Sequence, residues 1–380
     1  MEKIQLSDIL KNFRKNDTLF KTPEKLLLCK GSQKRFKIEF NDSSKLKEEI
    51  TALQKQYKGQ MIIGAIPFDY ITKATIIVPE KLEYYHESDL IDDLHIDPQS
   101  LTIEHSIDKP NRQQFNEMVQ NAINFINDKQ FNKVVLARTL NFRLEADPQI
   151  SSWLTNLMHK NKQGYIFSIE TGHLQNLIGA SPELLVKKEG NIVTINPLAG
   201  SRKQTFNEVK DADLEKELLN SEKDLHEHKI VVDYMCEKLH SYLSDIEFNK
   251  RPMILYTDTL IHLSTVITGK LKNDTMNVLD LAELLHPTPA ICGEPQKQTL
   301  AFIQETEPFK RGLYTGLVGY MDSNGDGEWV ITIRCAEINN EDVTLFAGAG
   351  IVNSSLPDSE FNEISAKFTT MLDAMGLKEN

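Results

Sequence analysis

Two hydrophobic periods alternate along this chain. From residue 111, Phe115, Met118, Val119, Ala122, Ile123 and Ile126 recur at helical spacing, behind Asn111 and Gln114, which suit a capping-box start. The pattern then switches. Lys133-Val134-Val135-Leu136-Ala137-Arg138-Thr139-Leu140 is β-branched and short, a strand with Lys133, Val135, Ala137 and Thr139 on one face. Further strands are expected at 164–169, 176–180, 191–195, 329–338 and 343–346. Helices are expected at 211–243, interrupted near Ser221, and at 358–375. Strands joined by tight turns, with helices in separate blocks, favour an α+β fold with antiparallel sheets over a doubly wound parallel sheet. The first hundred residues carry charge-rich helical stretches and short strands such as 60–68, without a constellation of chemical groups.

The 380 residues are 40% hydrophobic and 26% charged, which provides ample core for a globular protein. The net charge of -12 argues against nucleic acid as a partner, and any anionic substrate must meet local cations or a metal. No apolar run reaches membrane-spanning length and residues 1–6 do not read as a signal peptide, so a cytoplasmic protein without membrane contact is expected. Cys29, Cys236, Cys292 and Cys335 are widely separated and read as small apolar residues rather than a disulfide or zinc framework.

Several segments concentrate acids, bases and bare backbone. Asp322-Ser323-Asn324-Gly325-Asp326-Gly327 starts like a calcium loop, but Ile333 stands where a bidentate Glu is required, so a hairpin turn is expected. His226 and His228 lie two apart on a helix and cannot share a metal, while Glu227 borders the apolar stripe Leu225, Val232, Met235 and Leu239. It reads as a solvated or salt-bridged carboxylate. In the last helix Glu360, Glu363 and Lys367 line up beside the stripe Phe361, Ile364, Phe368, Met371 and Leu372. They suit a surface ion pair, or a metal carboxylate with an ammonium one turn away. Phe346-Ala347-Gly348-Ala349-Gly350 suits close backbone approach to an anion or tight sheet packing. Arg334, alternating with Thr332 on its strand, suits a structural carboxylate or a substrate carboxylate. Gly179-Ala180-Ser181-Pro182-Glu183 ends a strand among small residues, where a desolvated Glu can serve as general acid. Asn196-Pro197-Leu198-Ala199-Gly200-Ser201-Arg202 similarly ends a strand in a small-residue turn.

With Ser221-Glu222-Lys223-Asp224-Leu225-His226-Glu227-His228 and His286-Pro287-Thr288-Pro289-Ala290, these ordered segments resemble the chorismate-utilising enzymes over residues 105–376. The resemblance implies an α+β fold with large antiparallel sheets around a central active site and helices packed outside, residues 1–104 completing the same compact fold. It implies an isomerase activity of the isochorismate synthase type, serving 2,3-dihydroxybenzoate siderophores, a preference taken from the strand Val330-Ile331-Thr332-Ile333-Arg334-Cys335-Ala336. Glu227 and Glu363 are then implied to bind Mg2+, with Glu360 as a further ligand through water. Lys133 is implied to be the general base that activates water, and Glu183 the general acid that protonates the departing hydroxyl. Gly200, Ser201, His262, Ala290, Arg334, Gly348 and Lys367 are implied to contact substrate. A lysine acts as base only when neutral, which burial, cationic neighbours and a nearby divalent ion all favour.

Ammonia-using members have Gln in place of Lys133 and need a glutaminase partner, and the aminodeoxychorismate branch has a lysine in place of Ala199. This chain is therefore expected to use water, to need no glutaminase subunit, and to act as a monomer on chorismate. Salicylate synthase, a menaquinone-pathway isochorismate synthase and a non-catalytic carboxylate-binding protein are the other readings. Glu294 is more charged than its counterpart in many relatives, so access or local field near the site can differ.

Overall fold

The computed structural model describes residues 3–31, 33–40, 42–57, 59–69, 71–97, 101–273 and 275–377. Two large sheets dominate, and every strand pairing within them is antiparallel. The ten-stranded sheet contains Lys133–Leu144, Asp342–Ile351, Cys335–Asn339, Gln175–Ser181 and Tyr165–Gly172 in that spatial order. Its far side is built from Thr18–Lys21, Lys25–Cys29 and Leu82–His86. In the nine-stranded sheet, Ile192–Asn196, Leu184–Glu189, Gly327–Ile331 and Leu317–Met321 are followed by Ile62–Ile66, Ala74–Pro79 and Gln33–Ile38. Strands from the first hundred residues thus extend both sheets.

The two sheets meet over a buried layer. Phe20, Leu27, Phe167 and Leu177 come from the larger sheet, and Ile63, Ile77, Val318 and Val330 from the other. Each such side chain, withdrawn from water, contributes roughly 1.5–3 kcal/mol before entropy is counted. A second apolar cluster joins the outer sheet faces to the helices. Helix Arg112–Asn127 begins with the expected capping box: the Asn111 side chain accepts from the Gln114 N–H at 3.0 Å, and the Gln114 side chain from the Asn111 N–H at 3.1 Å. The long helical stretch breaks at Ser221 into Glu208–Asn220 and Glu222–His240. Ser221 accepts from the Asp224 N–H at 3.3 Å and so caps the second helix.

Two expectations need correction. The stretch 329–338 is not one strand. Gly327–Ile331 belongs to the nine-stranded sheet and Cys335–Asn339 to the ten-stranded one, and 332–334 form the crossover between them. Arg334, with a φ of 51°, sits at that kink and not on a strand face. Continuous β-branched composition conceals such a handover, because both halves bury the same kinds of side chain. The small-residue segment after Asn196 is likewise no simple turn. Leu198–Lys203 is a strand of a separate three-stranded sheet with Leu260–Ser264 and Met253–Tyr256. Pro197 interrupts the ladder and redirects the chain.

Candidate active site

The site forms where the chain passes between the large sheets. One crossover links Gln175–Ser181 to Leu184–Glu189 and carries Glu183; its neighbour links Gly327–Ile331 to Cys335–Asn339 and carries Arg334. The crossovers are tied together, since the Ile331 N–H donates to Glu183 O at 3.1 Å and the Ala180 N–H to Arg334 O at 3.0 Å. Glu183 and Arg334 therefore enter one cavity, whose walls also include Gly200, Ser201, Glu227, His262, Ala290, Gly348, Glu363 and Lys367.

Lys133, the first residue of its strand, comes up behind this cavity, where it meets the lining residue Glu227. The register sets Val135 opposite Gly350 and Ala137 opposite Gly348. The missing side chains make the room. A Cβ on Gly350 would lie 2.9 Å from Lys133 Cε and would also collide with the Glu227 carboxylate. A Cβ on Gly348 would lie 2.8 Å from the Tyr314 hydroxyl. The Gly-Ala-Gly segment is thus a bare floor under charged side chains.

Lys133 is completely buried, and its Nζ meets Glu227 Oε1 at 2.8 Å as an ion pair. Helix Glu222–His240 brings Glu227 in, and helix Pro357–Ala374 brings Glu363 and Lys367. Lys367 Nζ lies 2.6 Å from Glu363 Oε1 and donates to Gly348 O at 2.7 Å, while Ser201 Oγ donates to Glu363 at 3.3 Å. Burial alone would raise the Glu363 carboxyl, but Lys367, Lys223 and Ser201 hold it below its ordinary range. Glu360 is not among the cavity-lining residues; it is buried and pairs with the lining residue Lys223 at 3.0 Å.

Glu183 behaves differently. Burial drives its pKa up to about 7, a rise only partly opposed by Lys133, Arg334 and the Leu198 backbone. It can hold a proton near neutrality and release it. His262 is kept neutral because burial, then Arg334 and Lys367, push its pKa far down. Its Nε2 has no hydrogen-bond partner among the described residues. Arg334 is also buried, and burial lowers its pKa against the opposing pull of Tyr314, Glu363 and Glu183. A neutral imidazole and three cationic side chains facing one space suit a ligand bearing carboxylates and hydroxyls.

All but two of the residues expected at the site from sequence line this cavity: Lys133 stands behind Glu227, and Glu360 behind Lys223. Glu294 lies outside the lining, although it pairs with Lys133 across the sheet. Sequence reasoning missed Lys223, Asp224 and Tyr314, which line the cavity. Lys223 was detectable as the residue one helical turn before Glu227. Tyr314 stacks on Phe346 with centroids 5.2 Å apart, but it lies in an irregular segment with no periodicity to expose it.

This fold and this cavity define a class. A family model described as chorismate binding enzyme matches residues 69–376, and the chain belongs to that family. Among its relatives, isochorismate synthase DhbC of Bacillus subtilis is 39% identical over 339 residues, covering 85% of this chain and 83% of the relative. The vibriobactin-specific isochorismate synthase of Vibrio cholerae is 37% identical, covering 87% and 82%. A crystal structure of a putative 2,3-dihydroxybenzoate-specific isochorismate synthase from Bacillus anthracis matches with a TM-score of 0.90 at 36% identity, over 98% of this chain and 100% of the other.

Proposed function

We propose that this protein is an isochorismate synthase that converts chorismate to isochorismate in the formation of 2,3-dihydroxybenzoate siderophores. Relatives named for that reaction cover most of its length. The observation that carries the chemistry is the pairing in one site of a buried lysine with a carboxyl of pKa about 7. Hydroxide leaves poorly unless protonated, and water attacks poorly unless deprotonated. In this reading Glu183 gives its proton to the hydroxyl leaving ring carbon 4. Lys133, an ammonium while it is paired with Glu227, acts in its neutral form: having given its proton to solvent, it takes one from the water that attacks carbon 2. The two transfers balance, so no redox partner is needed.

Arg334, Lys367, His262, Ser201 and the backbone of Gly200 and Gly348 orient the substrate carboxylates and hydroxyls, with Ala290 shaping the wall. Glu227 and Glu363 fit a hard cation. They are two oxygen donors from facing helices at one cavity, with no third acid completing a cage among the described residues. That set suits Mg2+, which shares its coordination between few carboxylates, water and substrate oxygen. When bound there, Mg2+ would hold a substrate carboxylate and offset the charge of the two glutamates. The protein is read as a cytoplasmic enzyme acting without a glutaminase subunit and as a monomer.

The test is to incubate the protein with chorismate and Mg2+ and follow isochorismate, salicylate and pyruvate by chromatography. Isochorismate alone is expected. Stoichiometric salicylate and pyruvate would make it a salicylate synthase, and unchanged chorismate would leave only binding.

A further inference from the structure

Two glutamates of the cavity wall, Glu227 and Glu363, and a third behind it, Glu360, each have their own ammonium. Glu227 pairs with Lys133 at 2.8 Å, Glu363 with Lys367 at 2.6 Å and Glu360 with Lys223 at 3.0 Å. Lys133 and Lys367 each have a place in the reaction or in substrate binding, but Lys223 has none so far. It stands one turn before Glu227, on the same face of helix Glu222–His240, and bridges to helix Pro357–Ala374. It lines the cavity beside Glu227 and Glu363. Its ammonium is therefore set among the acids by geometry, bonded to Glu360 and sharing the cavity wall with Glu227 and Glu363.

The geometry points to Lys223 as a built-in counter-cation of the acid cluster, a positioning residue that keeps the carboxylates neutralised without metal and weakens their hold on a divalent ion. The inference rests on the reading of Glu227 and Glu363 as metal carboxylates. Glu360 matters because it fixes where the ammonium stands. With Glu360 paired, Lys223 is anchored beside the metal carboxylates; with that partner removed, its charge is free to move onto them. The six groups carry no net charge as they stand, and loss of Lys223 leaves an excess negative charge facing the site.

The test measures Mg2+ binding to the whole protein by calorimetry, without substrate. Lys223→Gln should bind Mg2+ about five- to tenfold more tightly than wild type, the scale of one unit charge acting across a partly solvated site. Lys223→Arg keeps the charge and should bind as wild type does. Glu360→Gln should bind more weakly, and Lys223→Gln combined with Glu360→Gln should return towards wild type. Unchanged affinity in Lys223→Gln would reduce the Lys223–Glu360 contact to a structural ion pair, and weaker binding would make Lys223 a support of the metal; either overturns the inference. Glu363→Gln separates the two levels of the account. If it binds Mg2+ as wild type does, the metal reading itself fails.

Discussion

Replacing Glu183 by Gln removes one proton site and almost no volume, so it isolates what burial does to that carboxyl. Its pKa stands at about 7 against an ordinary 4.5, a displacement caused by burial and moderated by Lys133 and Arg334. At about 1.4 kcal/mol for each tenfold change, ionising this group in the folded protein costs roughly 3 kcal/mol more than in the unfolded chain. The sign follows from linkage. Below 4.5 both states hold the proton and nothing is lost. Between 4.5 and 7 the unfolded chain ionises first, so the wild type loses stability as pH rises; above 7 the loss is complete. Gln has no such dependence. Urea unfolding should therefore show the stability of Glu183→Gln, relative to wild type, improving by about 2.5 kcal/mol from pH 5 to pH 8. Fixed costs of fitting the amide cancel in that difference. Turnover should fall by roughly 10²–10⁴-fold in the same protein, since a neutral amide cannot protonate a leaving hydroxyl. In wild type, kcat should decline as pH rises through about 7, as Glu183 loses its proton. A stability difference that stays flat from pH 5 to pH 8 would refute the buried-acid argument, and full turnover in the variant would refute the catalytic role.

Lys133→Ala should lower turnover by a similar roughly 10²–10⁴-fold with an unchanged circular-dichroism spectrum, since the residue is asked to move a proton and not to hold the sheet. Arg334→Leu should raise KM for chorismate roughly tenfold or more, the scale of one lost charge-assisted hydrogen bond, measured by steady-state kinetics. Gly350→Ala should abolish turnover and weaken Mg2+ binding, because the new methyl group takes the space of Lys133 Cε and the Glu227 carboxylate. Chelation of divalent ions with EDTA should stop isochorismate formation, and added Mg2+ should restore it.

Much of the architecture was legible because local signals were strong. Asn111 and Gln114 announced a capped helix, Ser221 announced a break, and the alternation from Lys133 placed that side chain on the face that Gly348 and Gly350 leave open. Ordered motifs drew most of the site together before any distances were known. What stayed hidden depends on contacts distant in sequence. Arg334 looked like a strand residue because Ile331, Ile333 and Cys335 suit either sheet, and only the second sheet's position reveals the crossover. The ion pair of Lys133 with Glu227 joins residues on a strand and a helix that share no local pattern. Lys223 was passed over because a lysine beside acidic residues on a helix ordinarily marks a solvated face, and only helix Pro357–Ala374 turns that face inward.

The central claim is that a base behind Glu227 and an acid in the cavity wall exchange solvent water for the ring hydroxyl. Turnover of chorismate in water enriched in oxygen-18, with mass-spectrometric analysis of the product, tests it most directly. The account predicts isochorismate carrying one solvent oxygen at ring carbon 2. Product that keeps the original hydroxyl oxygen, with none from solvent, would contradict it.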